Sequence, residues 1–102
     1  MQVLEKKQLD PGIFQALNYN SLEEAGVEML YLAARNKLSE YMTEKKIFEQ
    51  KYKTTFDNFK ERLESEINNE DFAEEDDLMA WRFCHEHSEY WVKKVKELEL
   101  CL

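Results

Sequence analysis

Six carboxylates fall within eight consecutive residues, Glu70-Asp71-Phe72-Ala73-Glu74-Glu75-Asp76-Asp77. A helix N-terminus favours two or three acids, at about 0.3–1 kcal/mol each. Six repel one another in the free protein, and a cationic partner surface would relieve that repulsion. The spacing lacks the alternating ligands and central Gly of an EF-hand calcium loop. An acid–base pair needs environments that separate two pKa values, which an exposed run does not supply. Glu70, Asp71, Glu74, Glu75, Asp76 and Asp77 are therefore candidate partner-binding residues, with Trp81 and Phe83 as the adjacent apolar anchors.

A second cluster, Cys84-His85-Glu86-His87, has the composition of a metal site but not the spacing. On a helix His85 and His87 point in different directions, and His85 with Glu89 supplies two ligands where zinc needs three or four. A metal-dependent enzyme built on His85 and His87 is the weakest of three functional alternatives. The chain holds no Gly-rich phosphate loop, no Gly-x-Ser-x-Gly and no His-Glu-x-x-His. No catalytic residue and no cofactor is expected, and the chain is read as a non-enzyme.

The elements that must position these groups read as helices. Two glycines and one proline in 102 residues cannot supply the turns of an all-β domain. The expected fold is all-α, one domain, with three main helices at about 21–52, 55–68 and 71–100. A short helix starts at Asp10-Pro11, within an N-terminal arm covering residues 1–20 in which Val3-Leu4 could also form a strand. Ser21 with Glu24 has the spacing of a capping box, and Thr54 or Thr55 starts the next helix. Asn68-Asn69 would end it.

Along the first long helix, Val27, Leu30, Ala34, Tyr41, Phe48 and Tyr52 recur at helical spacing, and Met29, Leu32, Ala33 and Leu38 widen the stripe. Its first half is thus expected to pack on more than one side. In the last helix Trp81, Cys84, Ser88, Trp91, Val95, Leu98 and Leu102 alternate steps of three and four, the pattern of a coiled-coil seam. Met79, Phe83 and Tyr90 lie on an adjoining face. Such long helices suggest a hairpin or a homodimer paired along the Trp81–Leu102 seam, which is the second alternative: a structural dimer without a dedicated partner.

Charge distribution narrows the partners. From Leu63 to Trp81 there are eight acids and no Lys or Arg, while the other 14 acids balance the 14 bases. The net charge of −8 therefore resides in this segment, which argues against direct nucleic-acid binding. No apolar run approaches the roughly 20 residues that span a bilayer. Met1–Lys7 lacks the apolar core of a signal peptide, and Cys84 and Cys101 show no framework spacing, so a cytoplasmic, reduced protein is expected.

Residues 48–81 carry a resemblance. Phe48-Glu49-x-x-Tyr52-x-x-Thr55-Phe56-x-x-Phe59, followed by Glu74-Glu75-Asp76-Asp77-Leu78-Met79-x-Trp81, resembles small archaeal and bacterial antitoxin-like proteins of toxin–antitoxin modules. The resemblance extends into the C-terminal helix and does not cover the first 47 residues. It implies a non-catalytic protein that masks the basic groove of an RNA-cleaving toxin with its acidic segment. On that basis, reversing Glu74, Glu75, Asp76 and Asp77 to Lys should abolish binding without unfolding the chain.

Overall fold

The structure, a computed structural model, describes residues 7–66 and 71–102. The possible strand at Val3-Leu4, the Asn68-Asn69 stop and Glu70 lie outside them. The described residues form four helices: α1 (Gly12–Ala16), α2 (Leu22–Tyr52), α3 (Phe56–Ser65) and α4 (Phe72–Glu99). The all-α expectation holds, and the described residues contain no strand.

Side chains set the helix ends. Asp10 Oδ1 accepts from the Gly12 amide at 3.0 Å and starts α1. Ser21 Oγ accepts from the Glu24 amide at 3.0 Å. The return bond of the capping box is displaced by one residue, because the Glu24 carboxylate accepts from Asn20 N–H (2.8 Å). Thr55, not Thr54, caps α3 by accepting from Asn58 N–H at 3.2 Å. Lys53 closes α2 in the left-handed conformation with φ 53°, a position that usually takes Gly or Asn.

Helix α4 folds back antiparallel along α2, and α3 packs on the start of α4. The seam predicted for α4 is the packed one: Trp81, Cys84, Ser88 and Val95 are buried, with Trp91 and Leu98 half-buried. Its partner is α2 of the same chain, so in this structure the seam is occupied from within. Leu102 lies beyond the helix and is exposed. On α2 the seam runs Val27, Tyr31, Ala34, Leu38, Tyr41, Lys45, Phe48 and Tyr52, again in steps of three and four. Leu30 is left outside at 61 % exposure, and Met29 and Leu32 are exposed as well. The first half of α2 therefore packs on one side, not on several: one neighbouring helix covers one stripe.

The core is concentrated at the α3 end. Trp81 is fully buried and touches four rings, with centroids at 5.7 Å (Phe48), 6.1 Å (Tyr52), 5.9 Å (Phe56) and 5.2 Å (Phe59). Leu63 and Leu78 close the cluster. The two polar residues of the α4 seam are satisfied by their own helix: the Cys84 thiol lies 3.1 Å from the Ala80 carbonyl, and the Ser88 hydroxyl donates to the His85 carbonyl at 2.8 Å. Trp81 Nε1, like His85 Nδ1, is buried with no hydrogen-bond partner among the described residues.

That orphan donor makes a test. Trp81→Ala should cost about 3–5 kcal/mol, as large-to-small core changes do. Trp81→Phe should cost about 1 kcal/mol or less, because the lost volume is offset by removing an unpaired buried N–H, itself a burden of about 1–3 kcal/mol. Urea unfolding followed by circular dichroism checks both, with Leu22→Ala at the exposed start of α2 as a control expected within about 0.5 kcal/mol of wild type.

Candidate functional site

The acidic segment forms the first turns of α4, and the fold uses half of it. Asp71 is the N-cap: its Oδ1 accepts from the amides of Ala73 (3.1 Å) and Glu74 (3.2 Å). Glu74 is clamped by the Arg62 guanidinium of α3. Asp77 Oδ2 receives Lys51 Nζ of α2 at 2.6 Å and, on the same oxygen, the Tyr52 hydroxyl. These contacts fasten α4 to both preceding helices. The picture of six carboxylates displayed together to a partner therefore needs correction, since Asp71, Glu74 and Asp77 have partners within the chain. Glu75 and Asp76 are exposed and make no such contact among the described residues.

Trp81 also departs from its expected role. As the centre of the core it cannot anchor a partner. Phe83, 51 % exposed, can. It belongs to a row on α4 that sequence reasoning only partly gathered: Phe72, Met79, Phe83 and Tyr90, all exposed. Steps of seven, four and seven put these four side chains on one face of the helix. Asp76 falls in the same row, and Glu75 beside it.

The row borders a line of hollows that forms a groove between α2 and α4. At the α3 end the groove is lined by Glu44, Ile47, Phe48, Ala80, Phe83 and Cys84. Its middle passes Lys37, Tyr41, His87 and Tyr90. At the far end it widens to about 440 Å³ between Leu30, Ala33, Tyr90, Trp91, Leu98 and Cys101, with Lys37, Lys94 and Glu97 at the rim. The opposite face of the hairpin carries another hollow, lined by Met42 and Val92 together with Lys45, Ser88, Glu89, Lys93 and Lys96. The hairpin thus has one strongly apolar side and one of mixed character.

The histidines turn apart, as their spacing requires. His85 stacks on Phe56 (4.6 Å) and its Nε2 meets Glu89 at 3.1 Å. His87 lies against Phe83 (4.0 Å) and Tyr41 (5.0 Å), and its Nδ1–H donates to the Phe83 carbonyl at 2.8 Å. Among the described residues no three His, Cys, Asp or Glu side chains gather as a metal would require. The Cys84 thiol is pushed up to about 11, chiefly by burial and then by Glu44, whose carboxylate lies 3.4 Å away. A thiol so placed stays protonated and is a poor nucleophile. No described helix is long and apolar enough to cross a membrane.

Asp77 gives the fold a pH signature. Hydrogen bonds from Lys51 and then Tyr52 hold its carboxyl below the ordinary value of 3.8. A depressed folded pKa adds stability above the unfolded value and loses it as pH falls through the folded one. Urea midpoints of wild type and Asp77→Asn should therefore differ at neutral pH and converge as pH drops below 3.8. Lys51 is raised by the same hydrogen bond, so its share is lost only as pH rises beyond 10.5. Glu75→Gln with Asp76→Asn should change stability by at most about 0.5 kcal/mol, whereas Glu74→Gln with Asp77→Asn should lower it clearly. For the same reason, reversing all four acids to Lys breaks both clamps and does not spare the fold.

Compared with known proteins, the chain matches no family model, no curated protein and no solved structure, so the geometry alone supports the functional reading.

Proposed function

We propose that this chain is a non-catalytic protein-binding module whose docking surface is the apolar face of the α2–α4 hairpin. The observation that carries the reading is the row Phe72, Met79, Phe83 and Tyr90. Large side chains that stay half or more exposed on a single helix face, beside a groove lined by Leu30, Ala33 and Ile47, are a typical interaction surface. Scattered exposed leucines would carry no such weight.

The chain's shape adds support. Its accessible surface is 8547 Å² for a mass of 12.3 kDa. A compact monomer of that mass exposes about 6,100 Å². Its radius of gyration is 21.1 Å, against about 13 Å for a compact domain of 100 residues. A helix pair so extended leaves uncovered the surface that a third and fourth helix normally bury.

Glu75 and Asp76 refine the partner's chemistry. They lie beside Phe72 and Met79, at the α3 end of the same face, with no contact that occupies them. A partner that offers an apolar ridge and a cation beside it would satisfy both. The antitoxin-like role, with a small basic toxin as partner, is the narrower form of this reading. It would rest on these two acids and Phe83, not on the whole acidic segment. Neither histidine nor the buried thiol has a geometry that favours a metal-dependent enzyme.

The test is recovery of the native complex. A tagged chain expressed in its own cells should retain a partner chain, its own untagged copy included. Met79→Lys with Phe83→Lys should reduce that recovery at least tenfold, equivalent to about 1.4 kcal/mol or more. Lys93→Glu on the opposite face should leave it unchanged. Wild-type chain that comes out alone, or ridge and control variants that behave alike, would remove the proposal.

A further inference from the structure

The occupant of the apolar face can be named from its own shape and charge. We propose that a second copy of this chain covers it, antiparallel, giving a four-helix body made of two hairpins. This rests on the docking-face reading above and identifies the partner.

The two ends of the face are complementary. Toward α3 it carries a ridge, Phe72, Met79 and Phe83, which stands out from α4. Toward the other end it carries the wide trough of about 440 Å³ beside Leu30, Ala33 and Cys101. Ridge and trough occupy opposite halves of one face, at residues 72–83 and 90–101 of α4. A twofold axis across the face near Glu86 and His87 sets the ridge of each copy over the trough of the other. The pairing is self-complementary and closes, as a twofold interface must. A parallel arrangement would stack ridge on ridge and trough on trough.

Charge selects the same orientation. The ridge half holds the carboxylates Glu44, Glu75 and Asp76, while Lys51 nearby is occupied by Asp77. The trough half holds Lys37 and Lys94, each with one glutamate three residues on along its own helix, at 3.5 and 3.2 Å. Antiparallel pairing brings Glu75 and Asp76, which no described residue occupies, toward ammonium groups. Parallel pairing superposes three carboxylates on their own copies.

The chain as a whole exposes about 2,400 Å² more than a compact monomer of its mass, and a stable interface takes about 800 Å² from each partner.

Sedimentation equilibrium of the purified full chain gives the mass. Twice 12.3 kDa is expected at micromolar concentration, and 12.3 kDa for Met79→Lys with Phe83→Lys, whose helical circular dichroism should be retained. Orientation is read from a disulfide. Antiparallel pairing about residues 86–87 brings position 72 of one copy to Cys101 of the other. Phe72→Cys should therefore form the mixed 72–101 bridge between chains under mild oxidation, identified by peptide mass, while wild type should cross-link slowly through Cys101. Bridges joining 72 to 72 and 101 to 101 would overturn the antiparallel arrangement. A wild-type chain that sediments at 12.3 kDa throughout would overturn the dimer. In that case, native recovery of another partner that the ridge variant loses would leave the docking face standing, and its absence would remove both.

Discussion

Trp81 is the contact on which the rest of the molecule depends. Its ring meets those of Phe48 and Tyr52 on α2 and those of Phe56 and Phe59 on α3. The three helices converge on it, with Leu63 and Leu78 packed around the same cluster. Every clamp nearby acts around that point: Lys51 and Tyr52 on Asp77 below it, and Arg62 on Glu74 one turn further. The acidic character of this segment follows from the same constraint. Helix α4 must start beside the ends of two other helices, and carboxylates there serve as cap, as dipole partners and as ion-pair partners to both. A run of acids that looks like a display for a partner is in good part an internal fastening.

Cohesion falls away from that end. Beyond Cys84 the hairpin is two helices thick, with Ala34, Ser88 and Val95 the buried residues and Tyr31 to Glu99 a side-chain bond (3.3 Å) near its far end. A two-helix seam buries one stripe of each helix and leaves the flanks wet. Local opening should therefore be easiest at the far end and hardest around Trp81, since stability follows buried apolar contact. The wide trough lies in that least secured half.

What the sequence disclosed and what it concealed divide along physical lines. The α4 seam was legible from Trp81 to Leu98, because its members are apolar or small and recur without error. On α2 the true seam replaces Leu30 by Tyr31 and includes Lys45. Amphipathic side chains of this kind bury their stems and keep their tips in water, so a template that counts only apolar residues passes over them. Helix starts at Ser21 and Asp71 were readable, since capping is local. The fates of Glu74 and Asp77 were not. Their partners lie 12 and 26 residues away, and no local pattern reports a pairing that only the packing of the helices creates. Phe83 was recognised as an anchor but Phe72 was not grouped with it, because eleven residues separate them and only the helix brings them onto one face.

The distinction between Trp81 and Phe83 shows why composition alone could not separate core from surface. Both are aromatic, two residues apart, in the same acidic neighbourhood. Two residues on a helix turn the side chain through about 200°, so one enters the core and the other faces out. The rotation is fixed by which of the two finds rings to meet. Trp81 finds four; Phe83 finds Tyr41 and His87 at the rim. Once Trp81 is committed inward, the row Phe72, Met79, Phe83 and Tyr90 has nowhere to go but the surface. Removing Phe72 or Met79 would cost the isolated fold little, because both are mostly exposed in it. Their size is therefore not explained by the monomer's stability, and an interface is the physical role in which large exposed side chains on one face acquire a use.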